Sequence, residues 1–370
     1  MNIKITFEKY IEENGKIIFP AFNHNALYEM SLENREITML ARIPGSNFFQ
    51  HRTFFAIEKY KSKFFLIPFW GTKIWIYDRE TCELTNIKIA PEIDFDTDAI
   101  NLKPGKFARS FVNGQYMYIF PHFYPALVII DMETLEVTYD TDVVENLCKI
   151  RQNDDALITG VNQYENHVYC SIGNSNSVLV YNLNNHSHYI LPIPFSGIGF
   201  NGIGVTEDRI ILTPRRHGAV AMYDRKKKEC TEIYDYPSDY NCANIPFQSI
   251  VKISSGYLLI PTNSNFFMIL KDEGNIICLR EESIGLQGIL DSRISYDRVM
   301  AYGVEGSKVW YISGIDEMYY EFNMDTASCV GEKLVTEVGD LFFKEILDNS
   351  DEKLFEESAL FDIKSFLRFL

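Results

Sequence analysis

The sequence predicts an all-β fold, a seven-bladed β-propeller of four-stranded antiparallel blades, on two recurring marks and one period. The first mark is an apolar or aromatic residue followed by a polar turn opener: Met30-Ser31, Tyr77-Asp78, Ile130-Asp131, Tyr181-Asn182, Tyr223-Asp224, Leu270-Lys271 and Phe322-Asn323, at intervals of 47, 53, 51, 42, 47 and 52 residues. The second is the proline that closes the preceding strand at Pro20, Pro68, Pro121, Pro214 and Pro261, with Gly173 and Gly314 in the two remaining places. A period of about 50 residues leaves room for four short strands, which is the size of a propeller blade.

Residues 64–89 show the unit in full: an apolar run ending at Pro68, an alternating run ending at Tyr77-Asp78, and a third run after the turn Arg79-Glu80-Thr81. In period and strand content the chain resembles kelch- and WD-type propellers. It has neither the paired glycines of kelch nor the Trp-Asp ending of WD repeats, so the resemblance is to the architecture, covers residues 1 to about 335, and implies no specific family.

Taken in order, residues 3–12 alternate as a strand, and Glu13-Asn14-Gly15 supplies the hairpin turn before residues 16–22. The expected blades are 1–42, 48–90, 106–140, 155–192, 200–235, 247–281 and 297–335. Each holds four strands of its own, so blades one and seven are expected to meet without exchanging a strand. Between blades two and three, Asp94, Asp96 and Asp98 alternate as in the opening of a calcium loop. The loop's glycine position is Ala99 and its bidentate glutamate position Gly105, so no metal is expected there. Residues 142–153 place Val143, Val144, Leu147 and Ile150 on one face of a short helix. No helical pattern follows the glycine-rich run at 196–204, which excludes a phosphate loop and assigns Gly202 and Gly204 to close packing near the axis. Residues 336–370 depart from the repeat. In them Phe355, Ile363, Phe366, Leu367 and Leu370 recur at helical spacing, giving an amphipathic helix that clamps the propeller or docks a protein partner.

A chain of 370 residues remains one domain in this reading, because a radial repeat grows by adding blades. Its 51 acidic against 35 basic residues, a net charge of −16, disfavour nucleic acid and anionic membrane surfaces. No stretch is long and apolar enough to span a bilayer, and the N-terminus has no secretory pattern, so a cytoplasmic protein is expected. The seven cysteines are scattered without a CxxC pair, which argues against disulfides and thiolate zinc. No cofactor is expected.

The loops that follow the recurring prolines join strands two and three, and propellers that this chain resembles gather those loops around the central channel. The candidate ligand-binding residues on them are Phe22, His24, Trp70, His122, Phe123, Tyr124, Asn174, Arg215, Arg216, His217, Asn263 and Asp316. Aromatic faces beside amides suit sugar rings, whereas a guanidinium fork at Arg215 and Arg216 suits an anion. The chain therefore reads first as a non-catalytic propeller that binds a polar small molecule, glycan or peptide, or a protein partner, on that face. The alternative is a lyase or glycan-processing hydrolase with His122, His217 and Asp316 as acid-base candidates.

Overall fold

A computed structural model describes residues 5, 7–22, 24–44, 48, 53–69, 71, 73–89, 105–242, 245–279, 286, 297–326 and 328–336. The candidate calcium loop, Trp70 and the C-terminal amphipathic segment with Phe355, Ile363, Phe366, Leu367 and Leu370 lie outside the described residues.

Seven antiparallel sheets follow one another along the chain, six of four strands and one of five, and each blade is an up-and-down meander. The protein is a seven-bladed β-propeller. In every blade the second strand is almost entirely buried, as in Lys63–Pro68 and Gly256–Pro261. In blades two to seven the fourth is the least buried, as in Glu83–Lys88 and Ser328–Lys333. The apolar runs that precede the prolines are therefore strands covered on both faces by neighbouring blades. Core clusters accordingly form between blades: one joins Ala56 and Phe65 of blade two to Met117 and Val128 of blade three. The helix Asp142–Lys149 buries Val143, Val144 and Leu147 against blades three and four, as the sequence predicts.

Closure differs from the sequence expectation. No strand is exchanged among the four of blade one or blade seven, but Val335–Thr336 runs on from blade seven and pairs in parallel with Glu36–Arg42, the outer strand of blade one, as a fifth strand. Two residues are too short a segment to show an alternating pattern. Beside them Arg35, at φ +61°, inserts into blade seven and is almost fully buried. Its guanidinium lies 3.8 Å from the centroid of the Tyr319 ring, donates to Glu321 Oε1 at 2.9 Å, and sits 3.3 Å from Glu332 Oε2 in an ion pair without hydrogen-bond alignment.

Both glutamates are about half exposed, so the stacked, buried guanidinium is the larger part of this latch. Arg35→Ala is expected to lower stability by about 1–3 kcal/mol, read as a fall of several degrees in Tm. Arg35→Lys, which keeps the charge but not the planar stack, should fall between. Equal Tm for all three proteins would show that the latch contributes nothing to closure.

Candidate functional site

The innermost strand of six blades carries an irregularity at the same level. Its register against the second strand slips between Phe54 and Ala56, next to Phe107, between Ile158 and Gly160, Phe200 and Ile203, Phe247 and Ser249, and Val299 and Ala301. A bulge leaves one residue outside the ladder and re-aims its side chain. On one side of the axis those side chains cross to the next blade. Thr159 Oγ1 donates to the Phe200 carbonyl at 2.7 Å, Asn201 Nδ2 to the Phe247 carbonyl at 2.8 Å, and Gln248 Nε2 to the Val299 carbonyl at 2.8 Å. Small residues beside the bulges allow this approach: a Cβ on Gly160 would stand 2.4 Å from the Asn201 carbonyl oxygen, and one on Gly202 3.2 Å from Ser249 Cα. The assignment of Gly202 to close packing near the axis holds.

On the other side the bulged residue is Phe55, and it begins an arc of half-buried rings. Phe22 and Phe55 stack with centroids 6.5 Å apart, Phe55 and Phe69 at 5.8 Å, Phe69 and His122 at 6.3 Å, and His122 meets Phe123 edge-on at 4.6 Å. The Arg109 guanidinium lies 5.3 Å from the Phe55 centroid. Backbone bonds tie the same loops together across blades: Lys106 N donates to Phe69 O at 2.8 Å, His122 N to Lys106 O at 2.8 Å, Leu157 N to His122 O at 3.0 Å, and Gly173 N to Leu157 O at 3.1 Å. The strand 2–3 loops and the blade-to-blade connections thus share one face, and its floor is fixed.

Where the arc ends, charged groups begin. Asp155 accepts from Arg215 Nε at 3.2 Å and Nη2 at 2.9 Å, and Arg215 Nη1 donates to Asn201 Oδ1 at 2.7 Å. Burial works to raise the Asp155 pKa, but the hydrogen bonds and charge of Arg215 outweigh it and hold the carboxyl below its usual range. His122 lies within the field of this pair. Burial above all, then the Arg215 charge, pushes its pKa down to about 3, so the ring is neutral. Its Nδ1 lies 3.2 Å from the Ile158 carbonyl oxygen, a contact that requires the proton on Nδ1.

Beneath the rim, a cavity of about 340 Å³ runs between the inner strands and is lined from all seven blades. Two ion pairs cross it: Arg109 Nη1 with Glu8 at 3.2 Å, and Lys9 with Glu58. Lys9 Nζ also donates to Ser110 Oγ at 3.0 Å, and Ser110 Oγ donates to Glu58 at 2.5 Å.

Of the residues singled out in the sequence, Phe22, His122 and Phe123 come together in the arc, and Arg215 stands beside His122. Three others face inward. His24 is 2% exposed, stacked on Phe48 at 5.1 Å with Tyr28 Oη 3.2 Å from its Nδ1, and burial lowers its pKa to about 3. Tyr124 is buried against Phe107, with its pKa raised by burial. Asn174 is fully buried, donating from Nδ2 to the Asp155 carbonyl at 3.1 Å. Arg216 and His217 are exposed, and Asn263 is half-buried, 3.4 Å from the Ile245 carbonyl. Asp316 is held in its own turn on blade seven, accepting from Tyr320 Oη at 2.5 Å and from Met318 N at 3.2 Å. Sequence reasoning missed Phe55, Arg109, Asp155 and Asn201. The available signal was the apolar residue that opens each inner strand, two or three positions before the ladder resumes, often at a small residue: Phe54 before Ala56, Ile158 before Gly160, Phe247 before Ser249.

No protein-family model matches the chain, and no curated protein matches it in sequence. Solved structures do match in shape. Virginiamycin B lyase from Staphylococcus aureus superposes with a TM-score of 0.60 at 10% identity, over 85% of this chain and 95% of that one. The computationally designed protein Ika8 gives 0.57 at 8% identity, over 91% and 92%. PorZ, a surface component of the type-IX secretion system of Porphyromonas gingivalis, gives 0.55 at 13% identity, over 92% of this chain and 39% of that one. These likenesses show the fold alone. Enzymes and designed scaffolds stand side by side among them, so the chemistry of this chain rests on its own residues.

Proposed function

We propose that this chain is a non-catalytic β-propeller that binds a polar small molecule, a glycan or a peptide on the face formed by the strand 2–3 loops. The observation that carries this is the arc Phe22, Phe55, Phe69, His122 and Phe123, five half-buried rings of which Phe55 also lines a cavity of mixed polar and apolar character. Half-buried rings at a mouth keep apolar area in contact with water that a ligand can cover, while the polar groups behind them orient it. Binding is favoured over turnover because two of the three acid-base candidates are engaged, His122 with the Ile158 carbonyl and Asp316 with Tyr320, while His217 lies exposed away from that contact. An enzyme needs such groups at one point and poised to exchange protons. All seven cysteines are free, which fits a reducing compartment, and we assign the protein to the cytoplasm on that basis. No helix among the described residues is long and apolar enough to cross a membrane.

The reading is tested by thermal-shift screening of the wild type and of Phe55→Ala/Phe69→Ala against saccharides, sugar acids and short peptides. A ligand present at one hundred times its Kd stabilises the native state by about 2.7 kcal/mol. The expected result is a compound that raises the wild-type Tm and leaves the double variant unmoved. Equal shifts in both proteins would place the site elsewhere, and conversion of the compound would replace binding by catalysis.

A further inference from the structure

Resting on the binding face proposed above, we infer that its ligand is an uncharged saccharide, which stacks a sugar face on Phe55 at the rim and extends hydroxyls into the channel, rather than an anion clamped by the arginines. The sequence leaves both open, because Arg215 and Arg216 invite a carboxylate or phosphate. The geometry divides them by charge. At the rim and in the channel the cations Lys9, Arg109 and Arg215 meet the carboxylates Glu58, Glu8 and Asp155 in three ion pairs, so these cations already have anionic partners. Arg215 spends both arms of its fork on Asp155 and its remaining nitrogen on Asn201, the geometry an incoming anion would need to break. An anion would also approach a molecule of net charge −16.

Beside those ion pairs the channel offers neutral donor and acceptor groups. Asn162, Gln248, Ser249 and Tyr302 line it from blades four, six and seven, facing Phe55 and Phe111 of blades two and three. Tyr302 is driven toward its neutral form by burial and hydrogen-bonds Ser249, so it can both donate and accept. A cavity lined by amides and hydroxyls together with phenyl rings matches the two characters of a pyranose, which has hydroxyl edges and a C–H face. At about 340 Å³ it falls at the small end of ligand sites, which run from about 300 to 1,000 Å³.

The experiment is to pass labelled full-length protein over an array of neutral oligosaccharides, their uronic, sialylated, sulfated and phosphorylated counterparts, and short peptides. Titration calorimetry with the strongest neutral di- or trisaccharide then follows, on wild type, Phe55→Ala and Asn162→Ala. The expected result is retention on neutral glycans, no gain on the charged counterparts, and affinity at least tenfold weaker in Phe55→Ala. Affinity should be indifferent to salt between 50 and 500 mM, because no counterion is released. Retention only on charged glycans, or affinity that falls steeply with salt, overturns the inference and leaves the binding face standing. Retention of peptides at Phe55 with no saccharide bound does the same. No binding of saccharides or peptides by a protein that unfolds cooperatively overturns both readings.

Discussion

Replacing Asp155 by alanine is expected to cost about 3–5 kcal/mol of folding stability, among the largest effects of any single side chain in this protein. Asp155 and Arg215 come from the connection before blade four and the strand 2–3 loop of blade five, and their side chains are 19% and 13% exposed. Removing the carboxylate leaves a buried guanidinium with Asn201 as its remaining side-chain acceptor, and also frees the Ala156 amide, which donates to Asp155 Oδ1 at 2.8 Å. Most of the cost is that uncompensated charge, not the net value of the pair. The comparison therefore needs the double variant Asp155→Ala/Arg215→Met, which should recover part of the loss, with Asp155→Asn intermediate. Chemical denaturation of the four proteins measures it. A single variant within 1 kcal/mol of wild type, or a double variant less stable than the single, would show that the pair does not anchor blades four and five.

That ion pair also marks the limit of what the sequence discloses. The blades are legible because each repeats a local rule: an apolar strand covered on both faces, a proline or in two blades a glycine at its end, and a polar turn at the end of the next strand. Rules of this kind are written within some 50 residues and recur seven times. The site is built across repeats. Asp155 meets Arg215 across 60 residues, Lys9 meets Ser110 across 101, and Tyr10 Oη donates to the Tyr302 carbonyl across 292. Position in a blade tells which face a residue approaches, which is why Phe22, His122 and Phe123 are found where the loops were expected to gather. It does not tell whether a side chain on that face points to the mouth or back between blades, and His24, Tyr124 and Asn174 point back. The inner-strand bulge is the missing rule. It turns Phe55 to the rim and Thr159, Asn201 and Gln248 to the next blade, and it is invisible to a pattern of period two because it breaks that period by one residue. The closing strand Val335–Thr336 is illegible for a different reason, since its partner is at the other end of the chain.

Two histidines, His24 buried behind the rim and His122 half-buried in the arc, give the protein an acid sensitivity with a window of its own. His24 and His122 are held neutral in the fold, with pKa values lowered by burial to about 3, against about 6.5 in an unfolded chain. Above pH 6.5 neither state binds the proton and the histidines add no pH dependence. Below it the unfolded chain takes up a proton that the folded one refuses, so stability falls as pH falls, until the folded pKa is reached near pH 3. Each histidine removes about 1.4 kcal/mol per pH unit in that interval, and the two together about 4 kcal/mol by pH 5. The carboxylates with lowered pKa values act elsewhere. Asp155, Asp131 and Asp224 start from 3.8 and Glu13 and Glu232 from 4.5, so the stability they supply is lost only below those values. The interval from pH 5 to 6.5 therefore isolates the histidines. Urea denaturation across it should show stability declining toward acid in the wild type, less steeply in His24→Gln or His122→Gln, and least in the double variant, whatever each substitution costs at pH 7. The slope, not the absolute stability, is the readout, because a glutamine that packs poorly shifts the whole curve without tilting it. A slope unchanged in His122→Gln would mean that the ring takes up its proton in the folded state. The neutral tautomer that holds the Ile158 carbonyl beside Arg215 would then not be the resting form of the site.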